Sequence, residues 1–133
     1  MDKGLRFTLK KKERVSGEKR IENLFANGRS FIAYPLRVVY VVCDKSESES
    51  QVSIFVSVPK KRIGSAVNRN RLKRLVRETY RLNKHLLLSA LRPETRVDVA
   101  FVYVKDELSD FAAVEKGMIK SLKEMADSQR GGE

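Results

Sequence analysis

The sequence predicts a single α+β domain built as a two-layer α/β sandwich, with helices packed against a small mixed β-sheet. Two observations lead to this fold class. The chain has 133 residues, 41% of them hydrophobic, which suffices for one domain with one core. Segments with helical spacing of apolar residues alternate with segments in which every second residue is apolar. The predicted order of elements is α-β-β-α-α-β-α.

Three regions divide the chain. Residues 1–15 are predicted to form a basic N-terminal arm, because lysines and arginines surround scattered apolar residues there without a sustained period. Residues 16–126 contain all of the periodic segments and form the single α/β domain. Residues 127–133 are polar and end in glycines, so we expect a disordered tail.

The first helix is predicted over residues 17–27. Ser16 is a favourable N-cap residue, and Gly28 is a typical helix stop. Between them, Ile21 and Phe25 belong to an apolar stripe with helical spacing. The pattern therefore predicts a short helix with one apolar face.

Three strands are predicted. β-Branched and aromatic residues dominate 31–43, where Arg37 marks the wetter of two faces. The polar segment 44–51 is suited to a hairpin loop and leads into a second strand over 52–58. Residues 96–104 are apolar on both faces, so this third strand is expected at the centre of the sheet.

Three further helices follow from the same reasoning. A long helix is predicted over 66–83, starting near Ser65, with its apolar residues on one side. Residues 86–91 form a short apolar helix that ends before Pro93. Ser109 or Asp110 caps the final helix, whose apolar residues again have helical spacing.

The basic residues are concentrated in one part of the chain. Lysine and arginine number 28 against 17 aspartates and glutamates, which gives a net charge of +11 and a pI near 10.0. Residues 60–84 carry ten basic side chains and one acid, whereas residues 94–133 carry six basic and nine acidic side chains. A polyanionic partner such as a nucleic acid suits this distribution.

The composition also excludes several classes of protein. The single cysteine, Cys43, cannot form an internal disulfide or a zinc cage, and the single histidine, His85, leaves little material for a catalytic centre. The longest uninterrupted apolar runs, such as 38–43, are far shorter than the ~18 residues of a membrane span, and no signal-peptide core follows the charged N-terminus. We therefore expect a cytoplasmic protein without a membrane partner.

One side of the helix over 66–83 is predicted to be cationic. Its basic residues fall opposite Leu72 and Val76. Such a run can be a solvated face, but surface helices usually mix both signs, and the only acid here is Glu78. Arginine forks four residues apart lie about 6 Å apart along the axis, a spacing that suits successive phosphates. The pattern favours nucleic-acid binding over a solvated face.

The sheet offers a second candidate surface. Phe55 and Ser57 point outward from the second strand, and Arg37 lies on the wetter face of the first. Aromatic side chains on an open sheet face can stack on unpaired bases. Phe25 of the first helix either faces such bases or packs the helix onto the sheet, and its spacing permits both.

Acidic residues near the third strand raise the alternative of a two-metal nuclease. They lie around a strand end and a helix cap rather than in a converging set, which disfavours this alternative. These acids are Asp98, Asp106, Glu107 and Asp110.

Specific motifs identify a family. A Val-Ser-Val strand at 56–58 is followed by Lys60-Lys61, Gly64 and the segment Arg69-Asn70-Arg71-Leu72-Lys73-Arg74-Leu75-Val76-Arg77. In these motifs and in the order of its elements, the chain resembles the protein component of bacterial ribonuclease P. The resemblance runs from about residue 13 to the last helix, more than four-fifths of the chain.

The resemblance implies a small basic protein that assists a catalytic RNA in the endonucleolytic removal of the 5′ leader from precursor tRNA. The partners implied are the catalytic RNA and the precursor tRNA, without DNA. It also implies that the RNA subunit holds the catalytic Mg²⁺ ions, so that the protein has neither catalytic nor metal-binding residues. A left-handed crossover between parallel strands is a further implication for the fold.

The family pattern and the charge pattern together assign two sets of residues. The RNA-binding residues are Lys60, Lys61, Arg62, Arg69, Asn70, Arg71, Lys73, Arg74, Arg77 and Arg81. The resemblance implies that the cleft for the single-stranded leader contains Phe25, Arg37, Val39 and Ser57. Ile21 departs from the pattern, because many relatives have a second aromatic residue there.

Two other functions remain as alternatives. The first is a ribosomal or other structural RNA-binding protein without a role in cleavage, and the second is a DNA-binding helix. Composition alone does not separate these from a subunit of a ribonucleoprotein endoribonuclease.

Overall fold

The computed structural model describes residues 13–15, 17–44 and 50–130. These residues form four helices and four strands in the order α-β-β-β-α-α-β-α. The helices are α1 (Glu18–Asn27), α2 (Ala66–Asn83), α3 (His85–Leu88) and α4 (Phe111–Arg130). The strands are β1 (Arg29–Ala33), β2 (Leu36–Asp44), β3 (Val52–Ser57) and β4 (Thr95–Tyr103).

The four strands form one mixed sheet in the order β1-β2-β4-β3. Strand β2 pairs antiparallel with both β1 and β4, and β3 pairs parallel with β4. The predicted fold class is confirmed, and so is the central position of the strand near 96–104. A parallel pair needs a crossover connection, and α2 and α3 supply it between β3 and β4. The left-handedness of this crossover stays a prediction.

The prediction of one strand over 31–43 is wrong. A turn at Tyr34 and Pro35 divides this segment into β1 and β2, and the peptide bond between these two residues is cis. Proline has no N–H to donate to a strand ladder and is therefore unfavourable inside a strand. Apolar residues on both sides of Pro35 concealed the turn, so the predicted order contains one strand too few.

The prediction of a hairpin over 44–51 is also wrong. Strand β4 lies between β2 and β3, so the strands on either side of this segment are not neighbours. The physical reason is that β4 is buried on both faces, and the centre of the sheet is the only position that covers both. Residues 45–49 lie outside the described residues.

The main core lies between one face of the sheet and helices α2, α3 and α4. Leu36, Phe101 and Met118 are among its fully buried side chains. Helix α1 covers part of the other face, where Leu24 packs on Val39 and Ala100 in a smaller cluster. The two-layer description holds for the main core, and α1 adds a partial third layer.

The helix ends agree with the predicted caps where the structure describes them. The Ser65 hydroxyl accepts from the Asn68 N–H at 3.3 Å, and the Asp110 carboxylate accepts from the Ala113 N–H at 2.9 Å. The helix predicted over 17–27 is confirmed as α1. Gly17, with φ 90°, precedes it without a side-chain cap, and Ser16 lies outside the described residues.

The boundaries of the two terminal regions differ from the prediction. Helix α4 continues to Arg130, so disorder over 127–130 is wrong, because α4 stays packed as far as Ala126 and one more turn propagates easily. At the other end, the Val15 N–H donates to the Ile54 carbonyl at 2.8 Å, so residues 13–15 pair along β3. Residues 1–12 and 131–133 lie outside the described residues.

Among the residues that the structure describes, no helix is long and apolar enough to cross a membrane.

Candidate nucleic-acid interface

Several loops meet at one end of the sheet. Strands β3 and β4 are parallel and both end there, and the antiparallel β2 begins there. The turn at Tyr34, the basic segment 60–62 and the loop 104–110 are therefore neighbours. Arg62 Nη1 lies 3.1 Å from Asp106 Oδ1, and this ion pair connects the basic segment to the loop 104–110. Helix α2 begins at the same end, directly after the basic segment.

Helix α2 separates a core side from a cationic face, as its sequence predicts. Leu72, Val76 and Tyr80 are buried in the main core, together with Thr79. The cationic face consists of the polar and basic residues on the remaining surface of the helix. These are Asn70, Arg71, Lys73, Arg74, Arg77 and Arg81.

The basic residues at this end differ in how firmly the protein holds them. Arg71 and Arg74 are exposed, as are Lys60 and Lys61 in the preceding segment and the neutral Asn70 of α2. Long exposed basic side chains can reorient toward a phosphate at little cost, because no protein contact has to be broken. This group is therefore the most available to a nucleic acid.

Two arginines of α2 are already engaged within the protein. Arg69 Nη1 donates to the carbonyl oxygens of Ile63 and Gly64, at 3.1 and 2.8 Å. Arg81 forms an ion pair with Glu78. Arg69 thus stabilises the turn that precedes α2. This structural role is separate from any contact of Arg69 with a phosphate.

Arg14, in the N-terminal segment, lies against the cationic face of α2. Burial lowers the pKa of Arg77, and the positive charge of Arg14 lowers it further. Both arginines line a 580 Å³ groove along α2, together with Arg71 and Arg74. An anion in this groove would relieve the repulsion between these like charges. Arg14 was predicted only as part of a basic arm, because its pairing with β3 leaves no local signal.

The sheet leaves one row of side chains open on the face that carries α1. The register places Arg37 opposite both Ile32 and Val102, and Val102 opposite Ser57. We call these four residues the open row. Ile32 and Arg37 are exposed, and Val102 and Ser57 are half-buried. Arg37 Nε donates to Ser30 Oγ at 3.0 Å, which holds the guanidinium over the sheet.

An aromatic pair lies beside the open row. The Phe25 ring of α1 meets the Phe55 ring of β3 edge to face, with centroids 6.1 Å apart and an interplanar angle of 87°. Phe25 is nevertheless 43% exposed. Both alternatives for Phe25 are thus realised in part, because one edge packs on the sheet while a large part of the ring stays accessible.

Val39 does not share this exposure. It is 2% exposed and packs in the cluster beneath Leu24. Its side chain supports the floor of the cleft and cannot touch a ligand in this conformation.

A groove connects the two surfaces. It measures 360 Å³ and is lined by Phe55 and Ser57 of β3, Lys73 and Arg77 of α2, and Arg14. A nucleic-acid strand can therefore pass from the cationic face around the edge of β3 onto the open row.

Helix α1 is fixed over the sheet by a buried ion pair. Arg20 Nε and Nη2 donate to Asp98 Oδ2 and Oδ1 of β4, at 2.9 and 2.7 Å. Asp98 is fully buried, and Arg96 Nε lies 3.6 Å from the same carboxylate. This bidentate contact holds α1 in place and thereby sets the position of Phe25 relative to the open row.

The acidic residues do not form a metal site. Asp98 pairs with Arg20, Asp106 pairs with Arg62, and Asp110 caps α4. Within 13–15, 17–44 and 50–130, no three His, Cys, Asp or Glu side chains come together in a way that could hold a metal ion.

The sequence and the fold are both similar to those of known proteins. The family model described as Ribonuclease P matches residues 9–126. A ribonuclease P protein component from Porphyromonas gingivalis is 50% identical over 120 residues, with 87% of this chain and 85% of that protein covered. One from Listeria innocua is 36% identical over 115 residues, with 86% and 89% covered.

The fold matches solved structures as well. The ribonuclease P protein from Thermotoga maritima has 27% identity and a TM-score of 0.64, covering 84% of this chain and 96% of that one. A ribonuclease P protein from Staphylococcus aureus, at 22% identity and a TM-score of 0.61, covers 84% and 93% and shares the fold. The extent of the family match and the identity to these relatives lead to one conclusion: the chain belongs to the ribonuclease P protein component family.

Proposed function

We propose that this chain is the protein subunit of a ribonucleoprotein that removes the 5′ leader from precursor tRNA. In this proposal, the cationic face of α2 binds the catalytic RNA and the open row binds the single-stranded leader. Family membership supports the tRNA-processing role and not the alternatives of a ribosomal protein or a DNA-binding helix. The observation that carries the division of labour is the groove that joins the two surfaces at the edge of β3.

The charge of α2 suits a structured RNA partner. Arg71, Arg74 and the half-buried Arg77 follow one another along one groove. Their planar guanidinium groups can each donate two hydrogen bonds to a phosphate, which an ammonium group cannot do with the same geometry. Lys60 and Lys61 extend this positive surface at the N-terminal end of the helix.

The open row suits an unpaired strand. The exposed ring of Phe25 offers a stacking surface, and Phe55 supports it from the sheet. Arg37 is exposed and can donate to a phosphate while its Nε stays on Ser30. The half-buried Ser57 hydroxyl can donate to a phosphate or a base. Val39 contributes to this surface only indirectly, because its buried side chain supports α1 from the sheet.

The cleavage chemistry is assigned to the RNA subunit. Hydrolysis of a phosphodiester needs groups that activate water and stabilise the leaving oxygen. His85 is exposed on the short helix α3, and the acids of the described residues are engaged in ion pairs and caps or are scattered on the surface. We therefore propose that the Mg²⁺ ions are held mainly by RNA phosphates and that the protein supplies binding and orientation.

Reconstitution tests this proposal. Precursor tRNA is incubated at low magnesium with the catalytic RNA alone, with the protein alone after nuclease treatment, and with both. We expect specific removal of the leader only when both are present. Specific cleavage by the RNA-free protein would contradict the assignment of the chemistry, and unchanged cleavage on addition of the protein would contradict the assisting role.

A further inference from the structure

A second basic surface lies away from α2. A 440 Å³ pocket opens between α4 and the turn that joins β1 to β2. Tyr34 of the turn, Lys105 from the end of β4, and Lys116 and Lys120 of α4 supply its larger side chains. We call these four residues the lysine pocket. The distribution of charge along the sequence conceals this pocket, because residues 94–133 as a whole carry more acids than bases.

A close approach of backbone builds this pocket. A Cβ atom added to Gly117 of α4 would lie 2.9 Å from the carbonyl oxygens of both Ala33 and Tyr34. Only glycine therefore allows α4 to rest directly on the turn. Lys116 precedes this contact and Lys120 follows it by one helical turn, so both lysines lie beside Tyr34. The tyrosine is 60% exposed.

The three lysines lack an acidic counterpart. No acid lines the pocket, and within the described part of the chain none of the three lysines forms an ion pair. Of the acids near these lysines in sequence, Asp106 pairs with Arg62 and Asp110 caps α4. Glu115 accepts a hydrogen bond from Asn83, and Glu107 and Glu124 are exposed. Three like charges around one concavity favour an anion, and an exposed aromatic ring beside them favours a nucleotide.

The open row ends at the edge strand whose following turn lines this pocket, although the α4 side of the pocket belongs to the opposite face of the sheet. The row starts at Ser57 on β3, beside the cationic face, and ends at Ile32 on β1. Tyr34 follows Ile32 by two residues, and the four strands together span only about 14 Å. A strand of RNA that crosses the sheet along the open row therefore leaves it next to Tyr34, and it reaches the lysines of α4 by turning around the edge of β1.

We propose that the lysine pocket binds the distal part of the 5′ leader, beyond the nucleotides that lie on the open row. One unpaired base stacks on Tyr34, and Lys116 and Lys120 contact the adjacent phosphates. This inference rests on the proposed function, because it extends the path assigned to the leader. The leader site then has two parts, the open row and the lysine pocket. Only leaders long enough to cross the sheet reach the second part.

The test uses the reconstituted complex with catalytic RNA and three ligands: mature tRNA, precursor tRNA with a leader that ends over the sheet, and precursor tRNA with a leader several times longer. The variants are Lys116→Glu/Lys120→Glu and Tyr34→Leu. Arg92→Glu is the matched control, because Arg92 is an exposed cation at the opposite end of the sheet. Affinities for all three ligands are measured at one salt concentration.

We expect the double variant to weaken binding of the long leader about tenfold, and Tyr34→Leu to weaken it severalfold. Binding of the short leader and of mature tRNA stays unchanged, as does every affinity of Arg92→Glu. Equal losses on all three ligands, weaker binding of the catalytic RNA, or no loss at all would overturn the proposal. Failure of the proposed function has a different signature, because the unmodified complex would then bind the short leader no better than mature tRNA.

Discussion

Arg20 and Asp98, 78 residues apart in sequence, form a two-pronged ion pair that ties α1 to the central strand β4. The carboxylate is fully buried, and both of its oxygens accept from the one guanidinium group. The pair lies at the start of α1, and Phe25 lies more than one turn further along the same helix. The position of the exposed ring over the sheet thus depends on a contact at the other end of the helix.

Loss of this contact is predicted to affect both stability and leader binding. Arg20→Met removes two hydrogen bonds from the buried Asp98 carboxylate and leaves the more distant Arg96 as its neighbouring cation, so we expect the free energy of unfolding to fall by about 2 to 3 kcal/mol. Denaturant titration measures this loss. The affinity of the complex for leader-bearing tRNA should fall as well, because α1 shifts. Arg29→Met, at an exposed position, is the control and should change neither quantity.

Phe25→Leu separates packing from stacking. Leucine keeps much of the apolar volume but loses the ring face and the edge-to-face contact with Phe55, which contributes about 0.5 to 1.5 kcal/mol. We expect a small decrease in melting temperature and a loss of about five- to tenfold in affinity for precursor tRNA. Mature tRNA has no leader, so its affinity should stay the same. A large decrease in melting temperature, or equal weakening of both tRNAs, would identify Phe25 as a core residue.

The salt dependence of RNA binding reports the number of phosphates that the protein contacts. If six to eight cations near α2 meet phosphates, the logarithm of the affinity for the catalytic RNA should fall with the logarithm of salt concentration at a slope of roughly −4 to −7. Arg74→Gln should flatten the slope by about one. Arg92→Gln, at the opposite end of the sheet, should leave the slope unchanged. Identical slopes for these two variants would mean that the cationic face has no special role.

The buried Tyr80 side chain is expected to make the protein less stable at alkaline pH. Burial raises its pKa above the ordinary value of about 10, and the nearby Glu13 charge raises it further. The unfolded chain therefore releases this proton at lower pH than the folded one, so stability is fully present below about pH 10 and falls as the pH rises above it.

Tyr80→Phe should weaken this alkaline decrease. Within the described residues, the buried Tyr80 hydroxyl has no hydrogen-bond partner, so its removal should cost little near neutral pH. Melting temperatures at neutral and alkaline pH, measured for both proteins, check this expectation. A parallel decrease in the two proteins would mean that Tyr80 is not the responsible group, whereas a residual decrease agrees with the raised pKa of Tyr103.

Local patterns predicted the parts of the molecule that depend on local forces. Helix α2, its division into a core side and a cationic face, and the caps at Ser65 and Asp110 all follow from neighbouring residues. Pro35 carried a local signal for the turn between β1 and β2, but the apolar residues around it led to a single long strand. The order of strands was beyond such reasoning, because it depends on which strand is buried most completely on both faces.

The finer structure of the site depends on contacts between distant segments. Nothing near Arg20 in sequence indicates Asp98 as its partner, and nothing near Arg14 indicates that it lies against Arg77. The lysine pocket joins residues from a turn, a strand end and a helix, so it exists only in the folded chain. Val39 illustrates the reverse case, since its place on the correct face of the sheet did not reveal that Leu24 covers it.

The central claim is that two separate surfaces of this protein bind two different RNAs. The most direct measurement compares Arg74→Gln on the cationic face with Arg37→Gln on the open row in matched preparations, each assayed against the catalytic RNA and then, in the assembled complex, against precursor and mature tRNA. We predict that Arg74→Gln weakens assembly with the catalytic RNA and that Arg37→Gln weakens only the binding of precursor tRNA. The same loss of both activities in both variants would contradict the claim.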